Sequence, residues 1–105
     1  MTAKTTITRL ASMIALTATF IVASGFKEEM QTGEQLYKQH CIRCHGIDGT
    51  KGMLGAHNLQ KSTMTDAAIQ AQIQNGKGFM PSFRKKITGD QLDAVLNYVK
   101  SLRRN

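Results

Sequence analysis

Near the C-terminus Leu92, Val95, Leu96, Val99 and Leu102 recur at three- and four-residue spacing, which predicts a helix with one apolar face. Its start is marked by Thr88-Gly89-Asp90-Gln91, a capping box that satisfies two otherwise orphaned N–H groups. Lys100, Arg103 and Arg104 fall at its end, where the helix dipole favours cations. A second capping box, Thr32 to Gln35, opens a shorter helix with Glu34 in its first turn and Leu36, Tyr37 and His40 on one face, running into Cys41. Between these two, Thr65 as N-cap, Asp66, the Ile69/Ile73 pair and the Asn75-Gly76 stop predict a helix of about three turns. The intervening segments are loops. Gly46, Gly49, Gly52 and Gly55 accompany Asp48 and Thr50, and residues 76–87, with Gly76, Gly78 and Pro81, are expected as irregular, extended backbone. No stretch alternates in the manner of a strand, so the expected fold class is all-α: three main helices joined by long loops.

The first 24 residues follow a different pattern. Lys4 and Arg9 precede an uncharged, mostly apolar stretch from Leu10 to Ala23, and the small residues Ala23, Ser24 and Gly25 come next. This is the order of a secretory signal peptide, with cleavage after Ser24 or Gly25. The alternative is an uncleaved anchor, although the stretch is shorter than the ~20 residues a spanning helix needs. Residues 1–24 are therefore assigned to export and 25–105 to one domain, which implies a periplasmic location, with membrane attachment only if the segment is retained. About 80 residues make a thin core, and a domain of that size commonly needs an added staple. Without Lys4 and Arg9 the chain keeps 12 basic side chains against 7 acidic, an excess of five. That excess favours an acidic partner. Nucleic acid is excluded as that partner: the cations are scattered, no groove-reading motif is present, and export separates the chain from the genome.

The only two cysteines lie in Cys41-Ile42-Arg43-Cys44-His45. A disulfide across two intervening residues would close a tiny loop and stabilise little. A redox dithiol belongs beside a βαβ pattern, absent here, and a zinc site lacks a second cysteine pair. Cys-x-x-Cys-His is instead the attachment signature of haem c. Two thiols on one turn can meet the two vinyl groups, and the next residue, His45, offers imidazole nitrogen to the iron. A sixth ligand is expected from methionine. Met30 precedes the first helix, Met53 lies too near His45, and Met64 abuts a helix start where core filling suffices. Met80, in Gly78-Phe79-Met80-Pro81, is preferred because backbone fixed by proline can cross a flat ring.

Together, Gly33-Glu34-Gln35-Leu36-Tyr37, Cys41-Ile42-Arg43-Cys44-His45-Gly46, Met80-Pro81 and the Leu92 to Leu102 helix with Tyr98 resemble the class I c-type cytochromes of the short bacterial kind. The resemblance spans residues 30–102. It implies a cytochrome c-like fold around one covalently bound haem, in which the first and last helices cross through Gly33, Tyr37, Val95 and Tyr98. It also implies a monomeric one-electron carrier of a respiratory or dehydrogenase-linked chain, not an enzyme, serving redox protein partners. Arg43, Lys51, Lys77, Lys85 and Lys86 would lie near the haem edge and steer an acidic docking surface. Ile42, Leu54, Leu59, Ile73, Phe79, Phe83 and Leu92 are candidates for the apolar pocket. The family's usual proline after the motif is missing from Gly55-Ala56-His57-Asn58-Leu59. A carbonyl of that loop is left to hold the axial histidine's ring N–H. His40 and His57 receive only surface or packing roles. Two alternatives stay open: a haem subunit of a larger oxidoreductase, or a haem enzyme or gas sensor in which the sixth ligand is displaced.

Overall fold

Thr32 caps the first helix as its sequence requires: Gln35 N–H donates to Thr32 Oγ1 at 3.2 Å and Thr32 N–H to Gln35 Oε1 at 2.8 Å. The structure, a computed structural model, describes residues 29–104, so the export segment expected over 1–24 lies outside the described residues. Its helices are α1 (Gly33–His40), α2 (Ile42–His45), α3 (Asp66–Asn75) and α4 (Gly89–Ser101). Short 3-10 turns occupy Met53–Gly55 and Leu59–Lys61. The three predicted helices are present with their predicted caps. The attachment motif adds a helical turn of its own, α2, which its short length concealed in the sequence.

The first and last helices make the principal packing of the domain. A Cβ on Gly33 would stand 2.0 Å from the Ala94 carbonyl oxygen, so only glycine lets the two backbones approach this closely. Tyr37 and Val95 are fully buried at the crossing, and the Tyr37 and Tyr98 rings lie 5.1 Å apart at 51°. The core continues through Leu36, Ile69, Ile73, Phe83, Ile87, Leu92, Leu96 and Val99. α3 packs on α4, and the chain end is tied down by Arg103 Nη2 donating to Met64 O at 2.7 Å and Arg104 N to Gln60 O at 3.0 Å. No named strand occurs among the described residues, and none of their helices is long and apolar enough to cross a membrane.

One expectation is corrected. The Met80 segment is not simply extended: Lys77 and Met80 exchange both backbone hydrogen bonds at 3.0 Å, closing a tight turn over Gly78 and Phe79. Gly78 at φ +57° followed by a residue of negative φ has the pattern of a type II′ turn, which wants glycine at that place. Leu54 and Phe79, expected in the apolar pocket, stand outside the core with 62% and 76% of their surface exposed, and both line the cleft shared by Cys41, Cys44, His45 and Met80. Phe79 sits at the tip of this turn, and Leu54 lies at φ +53° in the Met53–Gly55 turn, which holds it away from the core. Ile73, Phe83 and Leu92 are buried as expected, while Ile42 and Leu59 pack partly buried against the core.

Candidate functional site

α2 places the motif on one helical turn. Cys44 N–H and His45 N–H both bond to the Cys41 carbonyl, at 3.3 and 3.0 Å, so Cys41 and Cys44 share a face and His45 follows one step round. The two thiols are free rather than bridged to each other. Burial, with Cys44 adding to it, pushes the Cys41 thiol up to about 11, so this sulfur is held neutral.

His45 is oriented from the far side of the cleft. Its Nδ1 lies 3.1 Å from the His57 carbonyl oxygen, and as the donor in that bond it leaves the Nε2 lone pair free. The loop that lacks the proline therefore still supplies the accepting carbonyl, and His57 is the residue that does so. Burial lowers the His45 pKa, and the bond to His57 only partly opposes that, so the ring stays neutral and able to ligate.

Met80 arrives from the opposite wall. The Lys77–Met80 turn is stapled to the end of α3, where Phe83 N–H donates to Ile73 O at 2.9 Å and Ser82 Oγ to Gln74 O at 2.5 Å. Gly76 lies under this turn, where a Cβ would stand 2.5 Å from the Met80 carbonyl oxygen. From α3, Gln72 Nε2 donates to Met80 Sδ at 3.8 Å, within the longer reach of a sulfur acceptor.

These groups converge. Cys41, Cys44, His45 and Met80 all line one open cleft of about 240 Å³, whose lips are Met53–His57 on one side and Lys77–Pro81 on the other. Behind it a smaller chamber of about 50 Å³ shares Cys41, His45, His57, Gln72 and Met80 as walls and reaches inward to Tyr37, Met64 and Val99. Of the other methionines, Met30 is exposed, Met53 sits on the cleft's lip, and Met64 packs against the core as expected.

The sequence carries the same pattern as known proteins. Residues 28–99 match the family described as cytochrome c oxidase, cbb3-type, subunit III. The chain is 34% identical over 83 residues to cytochrome c6 of Gloeothece citriformis, covering 74% of this chain and 76% of that one. Against cytochrome c6 of Synechococcus sp. the identity is 31% over 101 residues, 91% of this chain and 90% of the relative. In solved structures it superposes on the c-type cytochrome KustC0563 with a TM-score of 0.64 at 31% identity, over 70% of this chain and all of that one. It also superposes on cytochrome c6C from Synechococcus with a TM-score of 0.59 at 28% identity, covering 68% and 93%.

The chain belongs to the class I c-type cytochromes. As a monohaem member of their cytochrome c6-like group it is an electron carrier, not an enzyme, and has one covalently bound haem c. The cleft fits that group by its chemistry: two thiols on one turn, an imidazole with a free nitrogen, a thioether on the facing wall and largely apolar surroundings. Conversion of Cys41 to a thioether would remove the ionisation that its burial opposes.

Three contributors escaped the sequence reading. Gln72 is a polar residue beside the Ile69/Ile73 face of α3, and that position was the available signal. His57 acts through its backbone, which leaves no trace in residue type. The Tyr37 phenol donates to the Gly46 carbonyl at 2.5 Å, one residue beyond His45. His40, expected only at the surface or in packing, sets its ring edge-on to Phe83 at 5.6 Å.

Proposed function

We propose that this cytochrome is an exported, monomeric one-electron shuttle in which Cys41 and Cys44 attach the haem and His45 Nε2 and Met80 Sδ ligate its iron. The convergence of these four side chains on one cleft, with His45 Nδ1 tied to the His57 carbonyl, carries the reading. Bound there, the haem supplies a ferrous/ferric couple, and no bond to the protein need break as the electron moves. His57 fixes the imidazole's tautomer and raises its basicity. The Met80 thioether and the apolar walls disfavour the more highly charged oxidised state, which places the potential on the positive side.

Docking is assigned to the cleft mouth. Between Gly49 and Ile87 the sole acid is Asp66, already paired with Lys100 at 2.9 Å, while Lys51, Lys61, Lys77, Arg84, Lys85 and Lys86 are all basic. This stretch forms both lips of the cleft, with exposed Leu54 and Phe79 at its edge. A partner with an acidic rim around a small apolar spot matches that surface, and its association should slow as salt is raised.

The test is spectroscopic. Met80→Ala should abolish the thioether-to-iron absorption band of the oxidised protein and lower the potential. An unchanged band would show that another methionine is the ligand. Carbon monoxide added to the reduced wild type should bind slowly or not at all, whereas rapid binding would point to an open-site sensor. The cbb3-type family description favours a second reading, a subunit docked on an oxidase. Sedimentation of the native protein distinguishes the two, since a shuttle runs as a single small species.

A further inference from the structure

One residue touches both ends of the attachment motif. The Tyr37 main-chain carbonyl accepts the Cys41 N–H at 2.8 Å, and its phenol donates to the Gly46 carbonyl at 2.5 Å, so Cys41–His45 is bracketed from a single position on α1. The ring is fully buried at the α1/α4 crossing and also forms a wall of the inner chamber beside Cys41 and His45. A phenylalanine would fill the same volume, so the hydroxyl is not needed for packing. Burial pushes that hydroxyl up to about 12, which keeps it a donor throughout the neutral range.

Gly46 is the point where the chain leaves α2, at φ +78°, and its own N–H is bonded to Ile42 O at 2.8 Å. Among the described residues its carbonyl otherwise receives only a long bond from Gly49 N–H, at 3.3 Å. The backbone just past His45 is therefore anchored to the helical core chiefly by the phenol.

We propose that Tyr37 is a positioning residue for the haem site: its hydroxyl, bonded to Gly46, fixes the far end of the Cys41–His45 turn and so sets the orientation of the His45 imidazole. The proposal rests on His45 being the axial ligand. His45 is otherwise held by its own N–H on the Cys41 carbonyl at 3.0 Å, by Lys51 N–H on its carbonyl at 2.9 Å and by His57 on its ring. Freeing Gly46 lets the end of the turn shift against those restraints. The ring then rotates while the fold persists.

The experiment compares oxidised holoprotein of wild type, Tyr37→Phe and Tyr98→Phe by paramagnetic NMR. The haem methyl shifts report the axial imidazole's orientation. Tyr37→Phe should move those resonances and shift the potential while leaving the far-ultraviolet dichroism unchanged. Tyr98→Phe, which removes the other phenol of the same crossing, should superimpose on wild type. If the Tyr37→Phe spectrum and potential coincide with wild type, the phenol only packs and the proposal is wrong. Should Tyr37→Phe fail to mature, 3-fluorotyrosine in the Tyr98→Phe background labels Tyr37 alone and strengthens its donor without loss of the ring. The methyl resonances must then move relative to the unlabelled Tyr98→Phe protein, and identical spectra reject the clamp. Failure of His45 ligation itself would appear in the wild-type spectrum, before any variant is compared.

Discussion

Two phenylalanines four residues apart occupy opposite situations. Phe83, in the loop between α3 and α4, is buried in the core, whereas Phe79 stands at a turn tip, 76% exposed. Truncating an aromatic buried in the core costs about 3–5 kcal/mol, more than truncating one at the rim of a cleft. Phe83→Ala should therefore lower the denaturant midpoint of the holoprotein markedly, and by more than Phe79→Ala does. Both appeared equally suited to the pocket in the sequence. Residue type records hydrophobicity, but the Lys77–Met80 turn sets Phe79 on the cleft's lip while Phe83 joins the core. The cysteines differ in the opposite sense, because the attachment chemistry proposed for them is read from spacing alone. Replacing either Cys41 or Cys44 with Ala should leave one thioether, seen as a red-shifted reduced absorption band in alkaline pyridine.

At the scale of elements, the helices end where their caps place them, and the close approach of α1 to α4 rests on one missing side chain. Gly33→Val would press its side chain into the Ala94 carbonyl and should cost more than about 2 kcal/mol, read as a lowered thermal midpoint. The exposed Glu34–Lys38 pair at 2.7 Å should matter far less, because solvent screens it. The loop after α2 carries a pH signature. Asp48 accepts bonds from the Thr50 hydroxyl and N–H at 2.7 and 3.0 Å, which hold its carboxyl below the ordinary 3.8, the hydroxyl having the larger effect. A folded carboxyl more acidic than the unfolded one stabilises fully above the unfolded value and loses that contribution as pH falls through the lower folded value. The thermal midpoints of wild type and Asp48→Ala should thus differ at pH 7 and converge below about pH 4. A constant gap across that range would mean that the carboxylate's charge plays no part.

For the molecule as a whole, charge is arranged rather than merely in excess. Among described residues the acids Glu29, Glu34, Asp48, Asp90 and Asp93 fall outside the stretch that forms the cleft's lips, leaving that face basic. Lys77 lines the cleft, and Lys86 Nζ lies 5.8 Å from the Phe83 ring centroid on its flank. Charge reversal at Lys77 and Lys86 together should slow electron transfer with an acidic redox partner at low ionic strength, and added salt should narrow the gap to wild type. Equal rates at low salt would move the docking surface elsewhere.

Caps, helix periodicity and the Cys-x-x-Cys-His spacing are local properties. Neighbouring residues alone set them, so the sequence by itself determined the all-α class, the three main helices, the attachment motif and the preference for Met80. The accepting carbonyl on His57, the tight turn that presents Met80, the Gln72 contact to its sulfur and the Tyr37 bond to Gly46 depended on tertiary structure. Each joins residues through backbone atoms or through side chains on separate elements. Residue identity does not encode such distances, because they are fixed only when the whole chain has packed around its core.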